Sequence, residues 1–350
     1  MRKQLLYAGM AVMALMSSCS SDDSVESVDV SQVKVENSDV EIHLSTSSVR
    51  TRASVESGDD GSFAVDSMGV FCLAKADLNV NPVELPINWS RYVSNDHWSI
   101  WMDNVKCNAV KDASGTAIKW ADKDAVYMYP TGNWHSYDFY AYYPYQQSTD
   151  VSSEVVSATI ALDGTQDVIW GRTKSDEQYA YSAKYFRNNK AKSPALSMSH
   201  RFMRITFSII AGRDSTGSKE PAKTMGVKSL SVVNVPAYAK LIIADRYNPE
   251  NDGKIEADWN YGLTSYDMKD AGDAAFPELD AEKELGYWVK EDEQTVGQGF
   301  LLPVPEEGHT FRIHVVLQDK SGRVFDLNEY PIDLALKEGF TFEAGKSYNV

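Results

Sequence analysis

The chain has 350 residues, beyond the size at which one hydrophobic core usually stops growing, so two domains are expected. Apolar residues make up 43% and aromatics 11%, which excludes a chain that is disordered over most of its length. A formal net charge of -16, from 50 acidic against 34 basic residues, repels phosphate backbones and anionic membrane surfaces and so argues against nucleic acid or a peripheral membrane as partner.

The chain opens with MRKQLLYAGMAVMALMSSC, in which Arg2 and Lys3 precede an apolar run from Leu5 to Met16 and a small-residue exit, Ser17-Ser18. That order is the order of a secretory signal. Cys19 follows the two small residues and is the expected lipidation site, because a thiol in that context takes a diacylglycerol. Each buried methylene contributes about 0.8 kcal/mol, so several acyl chains hold a protein on a membrane without a spanning helix. No apolar run of about 18 residues follows this leader. Residues 1–19 are read as a lipoprotein signal peptide, and 20–39, acidic and free of aromatics, as a tether. Two cysteines remain, Cys72 and Cys107; an exported compartment permits a disulfide between them without establishing one, and Cys72 in MGVFCLAK also reads as a small buried residue.

From Val40 the chain repeats one texture, short runs of Val, Ile, Phe, Tyr and Thr separated by Gly, Pro, Asn and Asp. In chain order the predicted strands include VEIHLSTS at 40–47, SMGVFCL at 67–73, AVYMYP at 125–130 and YDFYAYYPY at 137–145. RITFSII at 204–210, LSVVNV at 230–235 and FRIHVVLQD at 311–319 follow. Arg204, Thr206 and Ser208 alternate with Ile205, Phe207 and Ile209, the pattern of a strand with one buried and one wet face. Helical periodicity is ambiguous only near 278–287, so an all-β chain of sandwich architecture is expected, without the βαβ rhythm of a nucleotide-binding fold. The polar stretch AKYFRNNKAKSPAL at 183–196 is the candidate boundary between an N-terminal sandwich, 40–194, and a C-terminal one, 195–350.

No catalytic constellation stands out. Histidines at 43, 97, 135, 200, 309 and 314 lack metal-ligand spacing, so neither a metal nor another cofactor is expected, and His309 and His314 read as solvent-facing. Nucleophile elbow, phosphate loop and dinucleotide fingerprint are all missing, and acidic pairs such as Asp270 with Asp273 or Glu291 with Asp292 arise freely among 50 acids. The chain does not read as an enzyme. Trp89, Trp98, Trp101, Trp120 and Trp134, with Tyr137, Tyr140, Tyr142, Tyr143 and Tyr145, read chiefly as core filling, with a sugar-stacking face as the alternative.

Seven passages carry a family resemblance: VEIHLSTSSVRTRA (40–53), GVFCLA (69–74), MDNVK (102–106), VYMYPTGNWHSYDFYAYYPY (126–145), VIWGRT (168–173), PALSMSHRFMRITFSI (194–209) and FEAGKSYNV (342–350). Together they resemble the Bacteroides-type fimbrillins, lipoprotein pilins of the FimA and Mfa type that build type V pili. The resemblance implies two transthyretin-like β-sandwich domains in tandem, a lipid anchor in the outer membrane for the precursor, and a place in a cell-surface fimbrium when mature. It also implies polymerisation with other pilin subunits by strand exchange, after an arginine-specific protease removes an N-terminal segment. Here that segment is 40–52, with Arg50 and Arg52 as the processing sites in a polar, Gly-containing stretch; the strand is expected in an edge slot of the first sandwich. The sequence ends directly after GKSYNV, so a tip or accessory adhesin is the expected role, with a glycan or protein as ligand. A surface glycan-binding lipoprotein that never polymerises is the alternative.

Overall fold

The computed structural model describes residues 37–47, 65–74, 100–112, 115–130, 137–152, 154–173, 181–188, 193–212, 224–270, 272, 274–303, 312–331 and 341–350. Among them the protein is all-β, as expected, with twenty-one strands and one short α-helix. The strands are β1 Asn37–Glu41, β2 Ser45–Ser47, β3 Val65–Ala74, β4 Ile100–Asp112, β5 Gly115–Trp120, β6 Met128–Pro130 and β7 Tyr137–Tyr143. Next come β8 Asp150–Val151, β9 Val155–Ala161, β10 Ile169–Arg172, helix α1 Ala183–Asn188, β11 Ala195–His200, β12 Met203–Ile209, β13 Met225–Pro236 and β14 Tyr238–Asp245. The last are β15 Ile255–Glu256, β16 Leu263–Asp267, β17 Tyr287–Trp288, β18 Gln294–Leu301, β19 Arg312–Asp319, β20 Val324–Pro331 and β21 Ser347–Asn349.

Seven strands close into a barrel in the order β10-β11-β2-β5-β4-β3-β7. Ile42, Leu44, Met68, Val70, Cys72, Met102, Cys107, Phe139 and Leu196 belong to its core. A second core gathers the three-stranded sheet β18-β12-β21, the sheet β16-β13-β19-β20 with β17 on β13, and the four-stranded sheet β15-β14-β9-β8. The alternation in β12 holds: Ile205 and Phe207 are buried, while Arg204 and Thr206 are only half-buried.

β3 and β7 depart from the one-wet-face expectation. Val70 and Cys72 lie in the barrel core, whereas Phe71 and Leu73 lie in the second core. Phe139 and Ala141 divide from Tyr140 and Tyr142 in the same way. A strand between two cores has no wet face, which is why GVFCL reads as an unbroken apolar run and YDFYAYY as an aromatic one interrupted only by the buried Asp138. Cys72 and Cys107 are buried free thiols; Cys72 is opposite Met102 and Cys107 opposite Met68, and desolvation pushes Cys72 well up and Cys107 up to about 12.

Pairing crosses residue 195 in both directions. β11 completes the barrel beside β10, and β9 pairs with β14, Ile160 opposite Ala239. Polar joints reinforce this seam. The Trp170 indole N–H donates to the Ile243 carbonyl at 3.0 Å, and Arg172 Nη1 donates to the Asp252 carboxylate at 2.7 Å. Burial pushes the Asp252 carboxyl up to about 6, against the hydrogen bond from the Asp245 N–H and the charge of Arg172. Gly253 has φ +77°, and a Cβ there would stand 2.6 Å from Trp170 Cδ2, so the turn needs glycine both for its backbone and for the close approach.

The ambiguous stretch near 278–287 is a tight turn rather than a helix: Asp280 accepts the N–H groups of Glu282 and Lys283, and Asp280 and Leu285 bond each other's backbone. The stretch expected to separate two sandwiches holds α1, whose Phe186 stacks on Tyr129 at 5.1 Å between centroids.

Candidate functional site

The segment 37–47 alternates as a strand must, with Val40, Ile42 and Leu44 turned one way and Glu41 and His43 the other. Ile42 is 0% and Leu44 3% exposed, while the side chains of His43 and Glu41 are 65% and 42% exposed. Burying two aliphatic side chains contributes about 3–6 kcal/mol.

The segment is not one continuous strand: β1 is an edge strand of a two-stranded sheet, whereas β2 is not at an edge as expected. β1 pairs with β6, with Asn37 opposite Pro130 and Glu41 opposite Met128. The chain then passes into the barrel, where β2 lies between two strands. It runs antiparallel to β5, Ser45 opposite Ala117 and Thr46 opposite Thr116, and parallel to β11, Leu196 opposite Thr46. Backbone bonds hold the crossing: the Ile42 N–H donates to the Tyr127 carbonyl at 2.8 Å, Leu44 accepts the Ile118 N–H at 3.0 Å, and the Ser45 N–H donates to Pro194 at 3.0 Å. The physical reason for the internal place is that β5 and β11 each leave one ladder unpaired, and one short strand satisfies both. Withdrawing it uncovers two backbone edges and the sockets of Ile42 and Leu44 together.

At the outer rim Arg187 of α1 donates to the Asp39 carboxylate at 2.5 Å, and that hydrogen bond holds the carboxyl below its ordinary value. This contact joins residues 148 apart in sequence, and nothing in the sequence marks it. Cys19, Arg50 and Arg52 lie outside the described residues.

His200, one of six scattered histidines, has a different role. Its Nδ1 bonds Asp167 Oδ2 with side chains 0% and 1% exposed, and Asp167 Oδ1 accepts the Val168 N–H at 2.7 Å. Desolvation raises the Asp167 carboxyl, opposed by the His200 hydrogen bond. The pair ties the end of β11 to the approach to β10, a structural joint between two neighbouring strands of the barrel. His314 bonds Asp326 at 2.5 Å on the partly exposed face of β19, and Asp270 is spent on its own turn, accepting the N–H groups of Gly272 and Ala274. Of the aromatics, Tyr137, Tyr140 and Tyr142 are buried, and Trp101 and Trp120 pack half-buried on the barrel core. Trp89, Trp98 and Trp134 lie outside the described residues. No cluster of three or more metal-ligating side chains occurs among the described residues.

What this architecture offers is a barrel closed by one short segment, through two backbone ladders and two buried aliphatic side chains. The Fimbrillin-like family profile matches residues 51–350, and the chain belongs to that family. It is therefore a protein of the pilus or adhesion type, in a family of structural rather than catalytic character, and its place is the cell surface. Among solved structures, it is similar to a proposed cell adhesion protein from Bacteroides ovatus ATCC 8483, at 14% identity and a TM-score of 0.41, covering 90% of this chain and 92% of that one. A proposed cell adhesion protein from Bacteroides fragilis NCTC 9343 is 11% identical with a TM-score of 0.40, over 89% and 91% of the two chains. The fimbrial anchor protein Mfa2 from Porphyromonas gingivalis is 9% identical with a TM-score of 0.28, over 84% and 82%. No curated protein sequence matches this chain. Among the described residues no helix is long and apolar enough to cross a membrane.

Proposed function

We propose that the chain is a fimbrillin-type pilus subunit, exported as a lipoprotein through Cys19 and assembled by strand exchange after an arginine-specific protease cuts behind Arg50 or Arg52. The observation that carries this reading is the seating of 37–47: a short segment at the start of the described chain completes the barrel through two ladders and two deep aliphatic side chains. The same segment, lifted out, leaves a slot of the shape and chemistry of a strand from a neighbour.

Low-dose digestion of the native protein with a trypsin-like protease is expected to give one dominant product beginning at Thr51 or Ala53, read by N-terminal sequencing. That cut should vanish in Arg50→Gln/Arg52→Gln. Cutting spread over many sites, together with glycan-array binding by the uncut monomer, would favour the glycan-binding lipoprotein instead. The anchor has its own test: incorporation of labelled palmitate in cells is expected, and it should be lost in Cys19→Ser. Equal labelling of the variant would remove Cys19 from the scheme.

A further inference from the structure

We propose that the slot reads its partner through a short pattern, an acidic residue followed three and five residues later by aliphatic residues, on a strand that runs antiparallel to β5 and parallel to β11. The inference rests on the strand-exchange reading and names the partner it implies: an extended segment of another subunit that carries this pattern.

Three observations set the pattern. Among the apolar side chains of the resident strand, only Ile42 and Leu44 turn fully inward, and Val40 half inward, so two sockets carry most of the apolar burial. Backbone bonds bracket both sockets, Ile42 N–H to Tyr127 on one side and Ile118 N–H to Leu44 on the other. A strand seated on those groups has its register determined; a slip by one residue would turn His43 into the core and both aliphatics to solvent. Finally, Arg187 meets Asp39, three residues before Ile42, so a cation marks the N-terminal end of the slot. Both partners are well exposed, which makes Arg187 a guide to orientation and register more than a source of affinity. The chain direction follows from the two ladders, since β2 is parallel to β11 while antiparallel to β5.

The test uses the chain nicked behind Arg50 or Arg52, in which the resident strand is held without a covalent link, and fluorescent peptides that compete for its place. The peptide of residues 37–47, NSDVEIHLSTS, is expected to enter. A peptide with Ile42→His, His43→Ile, Leu44→Ser and Ser45→Leu keeps the composition and moves the aliphatics outward; it should bind at least about 100-fold more weakly. Asp39→Lys should weaken entry by about twofold to fivefold at low salt, with recovery against the Arg187→Glu chain and no effect at high salt. Equal binding of the rearranged peptide, or indifference of the Asp39→Lys peptide to Arg187→Glu, would overturn the pattern. If the resident-sequence peptide itself never enters, strand exchange fails, and the pattern is then judged in the uncut chain. There the same four replacements should lower the urea midpoint sharply, and an unchanged midpoint would refute the pattern.

Discussion

An Ile42→Asp chain is expected to lose at least about 4 kcal/mol of folding stability at neutral pH, enough to open the first barrel in a protein whose total is on the order of 5–15 kcal/mol. Ile42 is 0% exposed, in a barrel core built from Val65, Met68, Val70, Cys72 and Phe139. The replacement removes an aliphatic contribution of about 1.5–3 kcal/mol and adds the desolvation of a carboxylate with no cation among those neighbours. Ile42→Val, which keeps the shape and removes one methyl, is expected to cost only about 0.5–1.5 kcal/mol. Urea unfolding of the uncut chain measures both. The penalty should ease as pH falls, because protonation spares the buried charge. A variant with an unchanged midpoint would show that the leading segment contributes nothing to the barrel.

Breaking the buried pair at the β10–β11 end of the barrel should cost a similar amount by a different mechanism. His200→Leu leaves the Asp167 carboxyl buried without its strongest partner, for an expected loss of about 3–5 kcal/mol at pH 7. The sign of the pH dependence follows from the direction of the shift. The folded carboxyl is already raised above its ordinary value by desolvation, and without His200 it rises further. Such a group binds its proton more tightly folded than unfolded, so stability falls as pH climbs through the window above the ordinary carboxylate value. The deficit of His200→Leu relative to the parent is therefore expected to be small at acidic pH and to grow towards neutrality. Asp167→Asn added to His200→Leu removes the charge and should restore part of the loss at pH 7. If the single and double variants are equally unstable across the pH range, the pair is held for its shape and not for its charge.

Much of the fold was legible because strand texture is local. The period-2 alternation of Ile205, Phe207 and Ile209 follows from the pleat, and the structure buries the first two as expected. Runs such as GVFCL and the aromatic YDFYAYY also carried their message, although the missing polar alternation signalled two buried faces where a single one was expected. The 278–287 stretch was ambiguous because its short turn is made by one side chain, Asp280, capping backbone groups, a device that leaves no periodic trace.

The slot was half legible. That VEIHLSTS is a strand, and which of its side chains go inward, is written in its alternation. Where it sits is not, because Ser45, Ala117 and Ala195 come together only through pairing between parts of the chain far apart in sequence. Arg187 facing Asp39 and His200 facing Asp167 were invisible for the same reason: each is a juxtaposition of distant residues, and neither member has an unusual neighbourhood in sequence.

The sequence by itself determined the all-β class, the inward positions of its strands and the polar breaks between them, since these depend on contacts within a few residues. Only the tertiary structure decided that the leading segment closes a barrel between β5 and β11, that β9 and β11 pair across residue 195, and that a histidine is buried against an aspartate. Those outcomes depend on which unpaired ladders and desolvated groups meet once the chain has collapsed, and a strand carries no local record of its neighbour.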